Sequence, residues 1–141
     1  MTWNQPSTWR SYVTLGVIFL AAAGLRLWHL DRVPSGVWID ECIEGLQAQA
    51  LRRGETLPES PALPFPRWPV WCAVEAMSSG VGGDTAGALR LPAALAGLAG
   101  VALGFIAGRA VLGPVAGLGA AAFIGGSFWH LQFSRMALPC I

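Results

Sequence analysis

The sequence has no lysine, and only 12% of its residues are charged. Charge is missing over long stretches: there is none between Arg10 and Arg26, none between Arg90 and Arg109, and none between Arg109 and Arg135. That scarcity argues against an ordinary soluble domain. A formal net charge of +1 gives no electrostatic footprint for nucleic acid, so no nucleic-acid partner is expected. Cysteine is sparse as well. Cys42, Cys72 and Cys140 make no metal spacing, and a Cys42–Cys72 bridge stays open only because both fall in one outer segment. There is no phosphate-cradling glycine loop after a strand, no His-Glu-x-x-His and no nucleophile elbow. No Rossmann cofactor and no zinc are expected.

What is abundant is apolar: 54% hydrophobic residues, with Gly 18 and Trp 7. A bilayer core takes about 20 mostly apolar residues per helix. The three uncharged stretches approach that length once flanking arginine stems reach the interface. The pattern predicts an all-α membrane protein with about three transmembrane helices and two juxtamembrane surface helices. The first span covers residues 12–30 and is uninterrupted from Val17 to Ala23; a signal peptide cleaved near Ala21-Ala22-Ala23 is the competing reading. The second covers 90–112, with Pro92 tolerated near its start. After the Gly113-Pro114 break, the third covers 115–133. Small residues recur at every fourth position, Gly100, Gly104 and Gly108 on one helix and Gly117, Ala121 and Gly125 on the other. Such ridges let two helices pack closely as a hairpin.

Between the first two spans lies a segment, 31–89, that carries all the acidic residues. Residues 40–53 read as an amphipathic helix. Asp40 suits its N-cap, Glu41 and Glu44 its first turn, Arg52 and Arg53 its last turn, and Gly54 its C-cap. Pro58, Pro61, Pro64, Pro66 and Pro69 then make an extended loop. Residues 68–82 read as a second interfacial helix rather than a span, because Glu75 interrupts a short apolar run. With the N-terminus inside, Arg10 and the Arg109 turn are cytoplasmic, and Asp40, Glu41 and Arg135 share the outer side. A crossing at 68–82 would separate them. Adjacent carboxylates at a membrane surface repel each other and resist burial, so Asp40-Glu41 invites a functional reading.

The ordered set Pro34 to Gly36, Asp40-Glu41, Arg90-Leu91-Pro92 and His130-Leu131-Gln132-Phe133-Ser134-Arg135 resembles the N-terminal part of the polyprenyl-phosphate-dependent membrane glycosyltransferases of the GT-C fold. The protein O-mannosyltransferases and lipid A aminoarabinose transferases belong to that family. The likeness covers nearly the whole chain and implies a partial GT-C fold in the inner (plasma) membrane, its active side facing the periplasm or exterior. It implies transfer of a sugar from a polyprenyl-phosphate donor to an acceptor. Asp40 would take the acceptor's hydroxyl proton, with Glu41 beside it as neighbour or acceptor-orienting group. Arg135, with Arg26 and His130, would face the donor phosphate. Family members are several times longer, so the resemblance implies a fragment or a chain that works with another. On the residues alone, Glu44 complements the helix dipole, Arg135 suits an interfacial anchor, and His130 and the tryptophans suit the interface. A small non-enzymatic membrane protein, packing through its glycine ridges, is the alternative. A transporter piece would need polar groups inside the spans, and between Leu91 and Trp129 there are almost none.

Overall fold

The long uncharged stretch after Arg10 forms α1 (Thr8–Leu27), in a computed structural model that describes residues 8–55 and 68–139. This helix begins and ends about a turn earlier than residues 12–30. Beyond Leu27 the chain turns through His29, which holds a positive φ of 46°. The remaining elements are α2 (Ile39–Arg53), α3 (Pro69–Gly82), α4 (Ala86–Leu112), α5 (Pro114–Gly126) and α6 (Phe128–Phe133). Every regular element among the described residues is a helix. Two of them, α1 and α4, are long and apolar enough to cross a membrane.

The helix expected over 90–112 starts at Ala86, because the Thr85 side chain accepts the Ala88 N–H at 3.1 Å and caps it. Pro92 therefore lies inside α4 rather than at its start. Proline cannot donate to the carbonyl four residues back. That carbonyl belongs to Ala88, and the Ser78 hydroxyl of α3 donates to it at 2.6 Å. The interruption is thus repaired from a neighbouring helix.

The single helix expected over 115–133 is divided. Gly125-Gly126 end α5 after 13 residues, Ser127 adopts an extended ψ of 123°, and α6 restarts at Phe128. Two adjacent glycines weaken a helix by about 1 kcal/mol each relative to alanine, and the break falls directly after them.

α1, α4 and α5 pack around Ala22, Leu98, Val101, Phe105 and Ala121. The α4–α5 hairpin is closed by glycine. A Cβ on Gly117 would lie 2.7 Å from the Phe105 carbonyl oxygen and 3.0 Å from the Arg109 nitrogen. Those are backbone atoms and cannot swing aside. Gly117→Ala is expected to destabilise the fold by about 1–3 kcal/mol through overpacking. Gly119, two residues along the same helix, has nothing within 4 Å of its Cβ position. Gly119→Ala is expected to be neutral or stabilising by up to about 1 kcal/mol. Thermal unfolding of both variants in one detergent checks the contrast.

α2 and α3 lie against each other at the end of the molecule formed by the C-terminus of α1 and the N-terminus of α4. At 14 residues α3 is too short to span. Its Glu75, which interrupts the apolar run, is fully buried. α2 begins at Ile39, so Asp40 is not its N-cap. Trp38 holds that position, and its N–H donates to Glu41 Oε2 at 3.1 Å. Gly54 closes the helix in the left-handed conformation at φ 68°. The proline-rich loop before Pro69, residues 1–7 and Cys140 lie outside the described residues.

Candidate functional site

Three arginines converge where α1 ends, and all are buried: Arg26 is 0% exposed, Arg90 1% and Arg135 6%. Buried guanidinium groups need partners for their N–H donors. Each of these finds carbonyls that the local backbone leaves without an intrahelical bond.

Arg26 serves the break at Ser127. The last carbonyls of an α-helix have no N–H four residues on. Arg26 Nη1 donates to the Gly125 oxygen at 3.0 Å and Nη2 to the Ile124 oxygen at 3.3 Å. Nη2 also lies 2.9 Å from His130 Nδ1. A guanidinium can only donate, so Nδ1 accepts and the ring proton sits on Nε2. Arg135 serves the end of α1 and the turn after it. It donates to the carbonyls of Leu25, Trp28 and Val33, the last two at 2.8 Å. Arg90 serves the next segment, donating to Leu30, Pro34 and Gly36 at 3.3, 3.0 and 2.6 Å.

Of the three, Arg90 alone has a carboxylate among the described residues. Its Nε meets Glu41 Oε1 at 2.8 Å and its Nη2 meets Oε2 at 3.0 Å, a bidentate pair. Glu41 is 0% exposed. It also accepts the backbone N–H of Ala137 at 2.9 Å. One carboxylate thus joins the start of α2, the N-terminal half of α4 and the segment after α6. Burial works to raise its pKa, but the Arg90 hydrogen bonds, the Ala137 and Trp38 N–H groups and the Arg90 charge hold it below the usual carboxylate range.

The sequence-predicted site residues are therefore gathered at one end but not equally open. Asp40 is exposed on the first turn of α2. Glu41, expected as its neighbour at an acceptor, is instead enclosed by Arg90 and backbone. Arg26, Arg135 and His130 lie nearby with their side chains directed at carbonyls or each other. Arg26 and Arg135 each keep a buried Nε with no partner among the described residues.

A second group of acids was missed by the sequence reading. Glu75 is buried between α2 and α3, and neither of its oxygens has a hydrogen-bond partner among the described residues. One buried oxygen of Glu44 is also unpartnered. Burial first, then the Glu44 charge, push the Glu75 pKa up to about 8, with the Glu41 charge adding to the rise; the Trp71 indole beside it works the other way. Glu44 is raised by burial and then by Asp40. Because α2 starts at Ile39, its first turn carries Asp40 and Glu41, and Glu44, expected there, lies one turn further on. The available signal was Glu75 itself, a lone acid in an apolar run.

Cys42 is exposed, Cys72 is buried under α2, and both thiols are free, so the open Cys42–Cys72 bridge is not formed. Burial, then Glu44 and Glu75, raise the Cys72 pKa and suppress its thiolate. In a Cys140→Ser background, maleimide is expected to modify Cys42 in the folded protein and Cys72 only after denaturation. Mass spectrometry of the two states reads this directly. Protection of Cys72 then reports packing beneath α2, not passage through a membrane.

No protein-family model, curated protein or solved structure matches the chain.

Proposed function

We propose that this chain is the acid-bearing, membrane-embedded part of a glycosyltransferase that moves a sugar from a polyprenyl-phosphate donor to an acceptor hydroxyl on the outer face of the inner (plasma) membrane. The observation that carries the reading is the mounting of Asp40. Its carboxylate stands exposed one residue before Glu41, and Glu41 is fixed by Arg90 to the same end of the helices where Arg135 lies. A general base needs a defined position near its substrate before its pKa matters. The rigid ion pair under α2 supplies that position, and the exposed neighbour supplies the base.

In this reading Asp40 takes the acceptor proton as the acceptor oxygen attacks the anomeric carbon and the sugar–phosphate bond breaks. Arg135 neutralises the charge growing on the leaving phosphate. It does so by exchanging the Trp28 and Val33 carbonyls for phosphate oxygens and by using its unpartnered Nε. Arg26 and His130 support it from below. The alternative, a non-enzymatic packing partner, draws less support, because the glycine ridges it would use already close α4 against α5.

Asp40→Asn tests the reading. Membranes containing the complete transferase assembly are assayed for transfer from a labelled polyprenyl-phosphate sugar. The variant is expected to lose about 10²–10⁴-fold in rate, the usual contribution of a positioned base, with thermal stability unchanged. Unchanged transfer in Asp40→Asn would return the chain to a packing role.

A further inference from the structure

We infer that the groove between α1 and α4, at the end of the molecule away from Asp40, is a binding site for one acyl chain of an anionic phospholipid whose phosphate rests on Arg109. The inference rests on the membrane part of the reading above and not on sugar transfer.

The groove has a volume of about 430 Å³ and is lined by Tyr12, Leu15, Gly16, Phe19, Phe105 and Ile106, among others. Apart from the Tyr12 hydroxyl, the side chains named here are apolar, so the cleft accepts hydrocarbon. Gly16 leaves open space on the groove's wall: a Cβ there would meet nothing within 4 Å. Arg109 closes one end. Its guanidinium carbon stands 5.3 Å from the Tyr12 ring centre and 5.9 Å from that of Phe105, and both rings line the groove. Nη1 donates to the Tyr12 hydroxyl at 2.7 Å, which fixes the fork, and its other donors have no partner among the described residues. A planar guanidinium held over the mouth of an apolar cleft matches a phosphodiester joined to an acyl chain.

Charge complementarity decides between lipids. Arg10 and Arg109 lie at this end, while every acid among the described residues falls between Asp31 and Asp84, on the connection at the other end. Among the described residues no carboxylate competes for Arg109, and a zwitterionic headgroup would bring a second cation against it. An anionic headgroup is preferred.

The experiment uses the full chain in a non-ionic maltoside detergent, with phosphatidylglycerol and phosphatidylcholine of identical acyl chains as probes. Bound lipid is counted by native mass spectrometry. The wild type is expected to retain phosphatidylglycerol about tenfold more tightly, a difference of about 1.4 kcal/mol. Arg109→Gln should abolish that preference while still binding both lipids weakly, and Arg109→Lys should restore part of it. Gly16→Phe, which fills the groove, should reduce both lipids. Equal retention of the two lipids by wild type, or an undiminished preference in Arg109→Gln, overturns the inference. Recovery of the chain in the aqueous fraction without detergent also overturns it, by removing the membrane premise. Asp40→Asn should leave the lipid preference intact, so loss of sugar transfer and loss of lipid selectivity are separable.

Discussion

Glu41→Gln is expected to destabilise the protein by about 3–5 kcal/mol, the range for removing one partner of a buried ion pair. The size follows from what Glu41 holds. It is fully enclosed, and its two oxygens receive Arg90 Nε, Arg90 Nη2, and the backbone N–H groups of Trp38 and Ala137. A neutral amide cannot accept at both positions, and it leaves Arg90 buried without a counter-charge. Arg90→Gln should cost at least as much, because it also releases the carbonyls of Leu30, Pro34 and Gly36. The double variant should cost less than the sum of the singles, since the second change removes a group the first left uncompensated. Unfolding monitored by helical circular dichroism, with limited proteolysis of α2, reads both the global loss and the local undocking. A surface contact of the Arg52–Asp84 kind, at 2.6 Å but half exposed, supplies the contrast. Asp84→Asn is worth about 0–1 kcal/mol.

Glu75→Gln should raise stability by up to about 5 kcal/mol above pH 8 and remove most of the alkaline decline of the wild type, since a tenfold change in a group's proton affinity on folding is worth about 1.4 kcal/mol. Folded Glu75 keeps its proton up to about 8, against an ordinary carboxyl value of 4.5. Between those limits the folded state binds more protons than the unfolded one, so stability falls as pH rises. The groups facing Glu75 are Glu44, Glu41, Cys72 and Trp71. Glu44 is raised too and adds to the same slope. Glu41 acts with the opposite sign. Its folded pKa is depressed, so its contribution is present above 4.5 and is lost as pH falls through the depressed value. The wild type should therefore be most stable in mildly acidic solution. Glu75→Gln flattens the alkaline limb alone and Glu41→Gln the acid limb alone. Thermal midpoints between about pH 2 and pH 9 test both.

Two of the long apolar helices were legible because absence of charge over a bilayer-length stretch has few other outcomes. Gly54 was legible because only glycine closes a helix so readily in the left-handed region. The divided third stretch was not read, although Gly125-Gly126-Ser127 marks it. The apolar run continues through the break, and hydropathy does not register two orphaned carbonyls. Arg26 was legible as a cation at a helix end, but its role depends on Ile124 and Gly125, which only the folded chain brings to it. Trp38 in place of Asp40 as the N-cap shows the same limit. The Glu41 carboxylate takes the Trp38 N–H from inside the helix, and its own position is set by Arg90, far along the chain. Asp40-Glu41 reads as a matched pair in sequence. The fold gives its members opposite fates, one exposed and one enclosed, because successive residues on a helix point in different directions.

In the proposed reading, Asp40 and the segment carrying Arg135 occupy one side of a membrane, with the α4–α5 turn on the other. Single cysteines at position 42, at Leu138 and at Leu112, each in an otherwise cysteine-free chain, test it with a membrane-impermeant maleimide on intact cells. Cys42 and Leu138→Cys should label together, and Leu112→Cys only after permeabilisation. Labelling of Cys42 with Leu138→Cys protected, or of Cys42 and Leu112→Cys together, would contradict the account.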